Sequence, residues 1–243
     1  MNINTALLSL FLIQCSFFVV IAQDIKGDDA QENIFKIGGA DATSGVVRKF
    51  DNRYEGTKGS PYYFDDWAQG SIVTKNDKQI LNAELKYNAY EDELIINKSN
   101  SGPYYFPKEE VKSFTLKEKT TGSNINFLIY QHFKKDDELQ YYRIVFQGKI
   151  NIVEHIKVIF EKANYEGGYS TDKRYDEFKK YKDLYYYSAA SSQPIKLKTT
   201  TNAISKVFPD RNAEMKKLIT ENGYDCKNEN DLVKIFNYYQ NIE

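Results

Sequence analysis

The sequence predicts an α+β protein: an antiparallel β-meander curled into a roll or open barrel, followed by a C-terminal helical hairpin. Three observations carry this. Between residues 71 and 160 apolar and polar residues alternate with period two, in short runs separated by turn chemistry. After residue 200 the apolar spacing changes to the i, i+3, i+4, i+7 of an amphipathic helix. The chain also holds 20 Tyr and 15 Phe, residues that favour strands because they pack against cross-strand neighbours.

Residues 23–60 read as a polar lead-in rich in Gly, Asp and Lys, closed by the turn chemistry of Gly59-Ser60-Pro61. The β-rich domain spans 61–199. It begins with a short strand at 71–75 and a hairpin turn at Asn76-Asp77. In the next strand, 81–87, Leu81, Ala83, Leu85 and Tyr87 point one way while Asn82, Glu84 and Lys86 point the other. Further strands are expected at 93–97, 111–117, 125–133, 139–147 and 150–160, with Gly148-Lys149 turning the chain between the last two. Residues 174–182 read as a short helix or an irregular crossing. Residues 185–188 and 195–198 read as a final hairpin around Gln193-Pro194. The helical segment, 200–243, opens with a short helix at 200–208. A second helix follows Pro209, with Asp210 as its N-cap and Gly223 at its end. A third spans 229–242, its stripe formed by Leu232, Ile235, Phe236 and Tyr239. The two long helices should bury these stripes on each other or on the sheet.

Residues 5–22 are almost continuously apolar and end in Val20-Ile21-Ala22, which satisfies the small-residue rule for signal peptidase. Residues 1–22 are therefore expected to be a signal peptide, although no Lys or Arg precedes the apolar run. The rival reading is a retained anchor, since about 18 apolar residues can just span a bilayer. Lipidation of Cys15 is disfavoured by the Gln14 before it. Cleavage before Gln23 would remove Cys15 and leave Cys226 as the one cysteine, so the fold must rest on burial without an intramolecular disulfide. Cys226 falls in the linker between the long helices, where it should be dispensable. The expected address is the periplasm or the outer membrane's periphery, with no integral membrane segment after cleavage.

The formal net charge is −1, with lysines and acids interspersed, so nothing forms the basic stripe that nucleic acid requires. An outer-membrane barrel fits poorly, because the C-terminus is amphipathic helix and the strands' outer faces carry Glu and Lys. Nucleophilic catalysis needs a base beside the nucleophile. His132 and His155 both fall inside expected strands, away from any Ser or Cys motif. Ser170-Thr171-Asp172-Lys173 matches Ser-x-x-Lys without its companion motifs. The acidic groups at 28–29, 65–66 and 136–138 lack the ligand ladder of a calcium loop and read as solvated turn carboxylates. No catalytic residue, metal ligand or cofactor is assigned from these patterns.

One segment stands apart. Residues 59–70 place Tyr62, Tyr63, Phe64, Asp65, Asp66 and the only Trp, Trp67, in a short turn-rich lead into the first strand. An indole beside carboxylates can stack on a sugar or anchor a partner, which makes Tyr63, Asp66 and Trp67 the candidate binding residues. The same segment could instead plug one end of the roll, with Asp65 or Asp66 capping the turn and Trp67 buried, as a lone Trp usually is.

The Gly-Ser-Pro-Tyr…Asp-Asp-Trp…Gly segment is followed by Leu85-Lys86-Tyr87-Asn88, Glu91-Asp92-Glu93-Leu94, Phe146-Gln147-Gly148-Lys149 and Leu232-Val233-Lys234…Asn237-Tyr238-Tyr239. With these motifs the chain from Gly59 onward resembles an uncharacterised family of exported proteins common in Bacteroidota. The resemblance implies residence in the cell envelope and carries over no activity or functional residue. The expectation is a non-enzymatic envelope module that binds another envelope protein or helps assemble an outer-membrane complex. A glycan- or small-ligand-binding roll and an unrecognised hydrolase are the alternatives.

Overall fold

The period-two runs become strands because each can turn one side chain in two toward a shared apolar interior. The computed structural model describes residues 57–98, 102–131, 139–163, 175–188 and 191–242. The apolar segment 5–22, most of the lead-in, His132, the 170–173 tetrad and the acids at 28–29 and 136–138 lie outside the described residues. The strands are β1 (Ala68–Thr74), β2 (Gln79–Asn88), β3 (Glu93–Lys98), β4 (Gly102–Phe106), β5 (Val111–Lys117), β6 (Asn124–Gln131), β7 (Leu139–Phe146), β8 (Ile150–Glu161), β9 (Glu177–Ser188) and β10 (Ser191–Lys196). They form one open antiparallel sheet in the order β10-β9-β8-β7-β6-β5-β1-β2-β3-β4. Two meanders are thus joined where β5 returns beside β1. A one-turn 3₁₀ segment, Lys108–Glu110, starts that return. The helices α1 (Thr201–Ser205), α2 (Asn212–Glu221) and α3 (Glu229–Asn241) complete the α+β fold.

The sheet curls around its inner face. Tyr104 and Phe106 of the edge strand β4 share one apolar cluster with Val158 of β8 and Phe178 of β9, although six or more strands separate them along the ladder order. Register shifts in the β1–β2, β1–β5 and β7–β8 pairs supply bends, as bulges do. Gly70 is needed at the first of these, because a Cβ there would fall 2.0 Å from the carbonyl oxygen of Thr115. Rings dominate the interior: Phe114 stacks on Phe127 at 4.5 Å, and Tyr87 and Tyr141 meet them edge-on.

A second apolar cluster lies farther along the same face of β8. Phe146, Ile152, Leu184 and Tyr186 of the sheet receive Phe208, Met215, Ile219, Leu232, Ile235 and Phe236 of the helical segment. Between the two clusters lies a charged layer. Arg143 of β7 and Glu154 of β8 are cross-strand partners, both buried, and the arginine Nε donates to Glu154 Oε2 at 2.8 Å. The same guanidinium forks onto both carboxylate oxygens of Glu229, the first residue of α3. Burial alone would pull the arginine pKa down, but the bonds to Glu229 and Glu154 outweigh it and leave it raised. Lys182 of β9 lies 3.7 Å from Glu154.

Several sequence expectations change. In β2, Ile72 pairs with Ile80 and Gly70 with Ala83, so an extra residue bulges out; Asn82 takes a left-handed φ of 53° and Ile80 replaces Leu81 as the buried residue. Residues 177–182 belong to the long strand β9, not to a helix or crossing. Its apolar alternation is masked because the exposed Lys180 and Lys182 share the phase of Phe178 and Leu184, Lys182 reaching Glu154 and Lys180 the Tyr63 carbonyl. Strand β4 has no counterpart in the sequence reading. Ser188 pairs with Ser191, so the last hairpin closes ahead of Gln193-Pro194 and Pro194 lies inside β10, on the sheet edge where proline costs no ladder bond. Asp210 does not cap α2: Arg211 holds the N-cap position without a side-chain bond, and Asp210 instead accepts from the Tyr239 hydroxyl at 3.2 Å. Gly223 does end α2. With φ of 64° it lets the Tyr224 and Gly223 amides donate to the Ile219 and Thr220 carbonyls. Cys226 lies in the expected linker but is buried in the second cluster, 5% exposed, and burial raises its thiol pKa. It packs in the interior where a dispensable linker residue was expected. Among the described residues no helix is long and apolar enough to cross a membrane.

Candidate functional site

Segment 60–67 continues β1 backward along β2 and then leaves it. The Pro61 carbonyl accepts from the amides of Ala89 and Tyr90, Tyr62 bridges Asn88, and the Tyr63 amide donates to the Tyr87 carbonyl at 2.8 Å. Between Tyr63 and Ala68 the chain bows out of the ladder, and the bow sorts its side chains. Tyr63 and Phe64 turn inward and pack against the first cluster, with the Tyr63 ring 5.2 Å from that of Phe127. Burial pushes the Tyr63 hydroxyl pKa up to about 12. Asp65 and Asp66 are exposed, and Trp67 is half-buried.

The three sequence-nominated residues therefore part company. Tyr63, with Phe64, closes the end of the interior, the role expected for Trp67. Trp67 is absent from both apolar clusters because the bow carries it outward before β1 resumes at Ala68. Trp67 and Asp66 instead form the common wall of two adjoining clefts. One cleft extends toward Phe64, Asp65, Ala68 and Thr120; the other extends over Gln69, Glu84 and Gly122. The β5–β6 turn, with Lys117, Glu118 and Lys119, forms the opposite lip of both.

The electrostatics are compensated locally. Lys119 reaches across the groove to Asp66 at 2.9 Å, a bond that holds the Asp66 carboxyl below its usual range. Lys86 lies 4.2 Å from the Tyr62 ring centroid and 5.6 Å from that of Trp67, and burial lowers its pKa. Asp66, expected as a possible turn cap, is engaged by Lys119 instead. Gln69 and Glu84 are cross-strand partners on the outer face of β1–β2, and Asn97 of β3 donates from Nδ2 to Glu84 Oε2 across the next ladder. These three polar residues continue from Trp67 as a row across the sheet.

Sequence reasoning missed Gln69, Glu84, Lys117 and Lys119. The first two were legible as outward residues of an alternating strand, once β1 is extended back to Ala68. The lysines come from a turn whose proximity depends on β5 returning beside β1, which no local pattern announces. Elsewhere, His155 lies on the outer face of β8, 5.2 Å from the ring of Tyr142, among Tyr130, Tyr185 and Tyr187. Cross-strand packing of this kind accounts for much of the tyrosine content. Among the described residues no group of three or more His, Cys, Asp and Glu side chains could hold a metal ion. Comparison of the chain with family models, curated proteins and solved structures finds no match.

Proposed function

We propose that this protein is a non-enzymatic, exported module of the cell envelope, at the periplasm or the outer membrane's periphery, and that it holds its partner in the groove around Trp67. The observation that carries this is the placement of the indole: half-buried, in the wall common to two open clefts, with polar side chains of both hydrogen-bonding senses within the same groove. A ring excluded from the interior yet held at the foot of a strand is the arrangement recognition needs. The apolar segment ending at Ala22 and the resemblance to exported envelope proteins support the address.

A photoreactive benzophenone side chain at position 69, in intact envelopes, tests the groove. A discrete adduct that disappears with Trp67→Ala is the expected outcome, and the identity of the adduct reports whether the partner is another envelope protein, an outer-membrane complex or a glycan. Equal labelling with and without Trp67 would overturn the assignment. Sequencing the mature N-terminus tests the address, with Gln23 expected as the first residue and a retained Met1 counting against export by this route.

A further inference from the structure

We propose that the occupant of the Trp67 groove is an uncharged pyranose chain, such as a neutral stretch of an envelope polysaccharide, with one ring against the indole and its hydroxyls on Gln69 and Glu84. This rests on the reading of the groove as the binding site and adds the chemical class of what it takes.

Three features favour a neutral sugar over other occupants. Charge comes first. Asp66 and Lys119 engage each other across the groove, so one charge of each sign is already compensated there. An anionic ligand would approach four carboxylates, Asp65, Asp66, Glu84 and Glu118, against two lysines, while a cationic one would have to displace Lys119 from Asp66 and pass Lys117. A neutral ligand meets neither penalty. Second is the mixture of donors and acceptors. Sugar hydroxyls both give and take hydrogen bonds, and Gln69 offers an amide of both senses beside the acceptor Glu84, itself steadied by Asn97. Third is shape. The apolar lining is confined to Phe64, Trp67 and Ala68 and the clefts are open, so an aliphatic side chain of a peptide would find no enclosing pocket. A pyranose ring needs only one aromatic surface for its C–H face, with polar groups at its rim. The two clefts meet at Trp67, so the site accommodates rings on either side of it.

The chain has a single tryptophan, so its emission reports on this groove directly. The mature protein would be titrated with maltotriose, cellotriose and tri-N-acetylchitotriose at millimolar concentration. The expected result is a saturable emission change with at least one of them, weakened on the order of 3- to 10-fold by Gln69→Ala and by Glu84→Gln, as loss of one hydrogen bond implies. Tyr238→Ala, on α3 and 40% exposed, should leave the affinity unchanged. Calorimetry on Trp67→Ala should show no binding. No saturable response to any of the three sugars, or a response indifferent to Gln69 and Glu84, would overturn the sugar assignment. If the sugars fail while the crosslinker at position 69 captures a protein in a Trp67-dependent way, the groove stands and its ligand class falls. If both fail, the groove reading falls with it.

Discussion

The inner and outer faces of the sheet treat aromatic and charged residues in opposite ways. On the inner face, Phe127 and Tyr141 are essentially inaccessible, and the one arginine there is admitted only with Glu154 and Glu229 around it. On the outer face at β1–β2, Trp67 is half-buried, and the Asp66–Lys119 pair is exposed on both sides. A desolvated charge must be compensated or it is strongly destabilising, whereas an exposed pair contributes little. The inner face is therefore where stability is decided. The outer groove can change without unfolding the chain, and that freedom is what a binding surface requires.

Truncating the inner face should have the largest effect. Phe127 is 0% exposed and touches the rings of Phe114, Tyr87 and Tyr63. Phe127→Ala should cost about 3–5 kcal/mol, the usual range for emptying a large aromatic site. Denaturant unfolding checks this, and a loss below about 1 kcal/mol would show that the interior is not the continuous packing described.

The charged layer should come next. Arg143→Met leaves Glu154 buried with Lys182, at 3.7 Å, as its only nearby cation among the described residues. Breaking a buried pair from one side costs about 3–5 kcal/mol, while replacing both partners with apolar residues is often neutral. The double variant Arg143→Met with Glu154→Met should thus recover most of what the single variant loses. A double variant as unstable as the single one would mean that the layer positions the strands through something other than charge compensation.

Acid should test the exposed edge of the same layer. Glu229 has its pKa depressed, first by the hydrogen bonds from Arg143, against an opposing effect of burial. A depressed carboxyl stabilises the fold above its unfolded value of about 4.3, and the contribution is lost as pH falls through the lower folded value. Stability should therefore decline below about pH 4.3 more steeply in the parent than in Glu229→Gln. The Glu229 side chain is 49% exposed, so the difference should stay under about 1 kcal/mol. Identical acid profiles would count against the Arg143–Glu229 contact.

How much of this was legible in the sequence follows the same division. Strands whose inner residues are apolar, such as β5, or apolar with one exception, such as β8 with its Glu154, show their alternation openly, and so do the stripe of α3 and the Gly223 stop. Strand β9 was hidden because the exposed Lys180 and Lys182 stand where alternation demands apolar residues. Strand β4 is short and its Gly102-Pro103 start reads as a turn. At the site, the 59–70 segment stood out by composition, but the sorting of its rings did not: Tyr63 inward and Trp67 outward depends on where the chain bows out of the ladder. The opposing lip was invisible because Lys119 meets Asp66 through a contact 53 residues apart in sequence.

The smallest stability effect should come from the groove itself, and it bears most directly on the comparison. Full burial of Trp67 would predict a loss of about 3–5 kcal/mol for Trp67→Ala. Half-buried and outside both clusters, the indole should cost no more than about 1–2 kcal/mol, the value of its partial burial. Tyr63→Ala supplies the internal standard. Four residues earlier on the same bow, it removes a ring packed edge-on to Phe127, and it should be the more destabilising of the two despite its smaller side chain. Thermal or chemical unfolding of the two variants side by side measures the difference. If Trp67→Ala proves as costly as Tyr63→Ala or costlier, the indole belongs to the interior after all, and the outer groove loses the residue on which the proposed recognition depends.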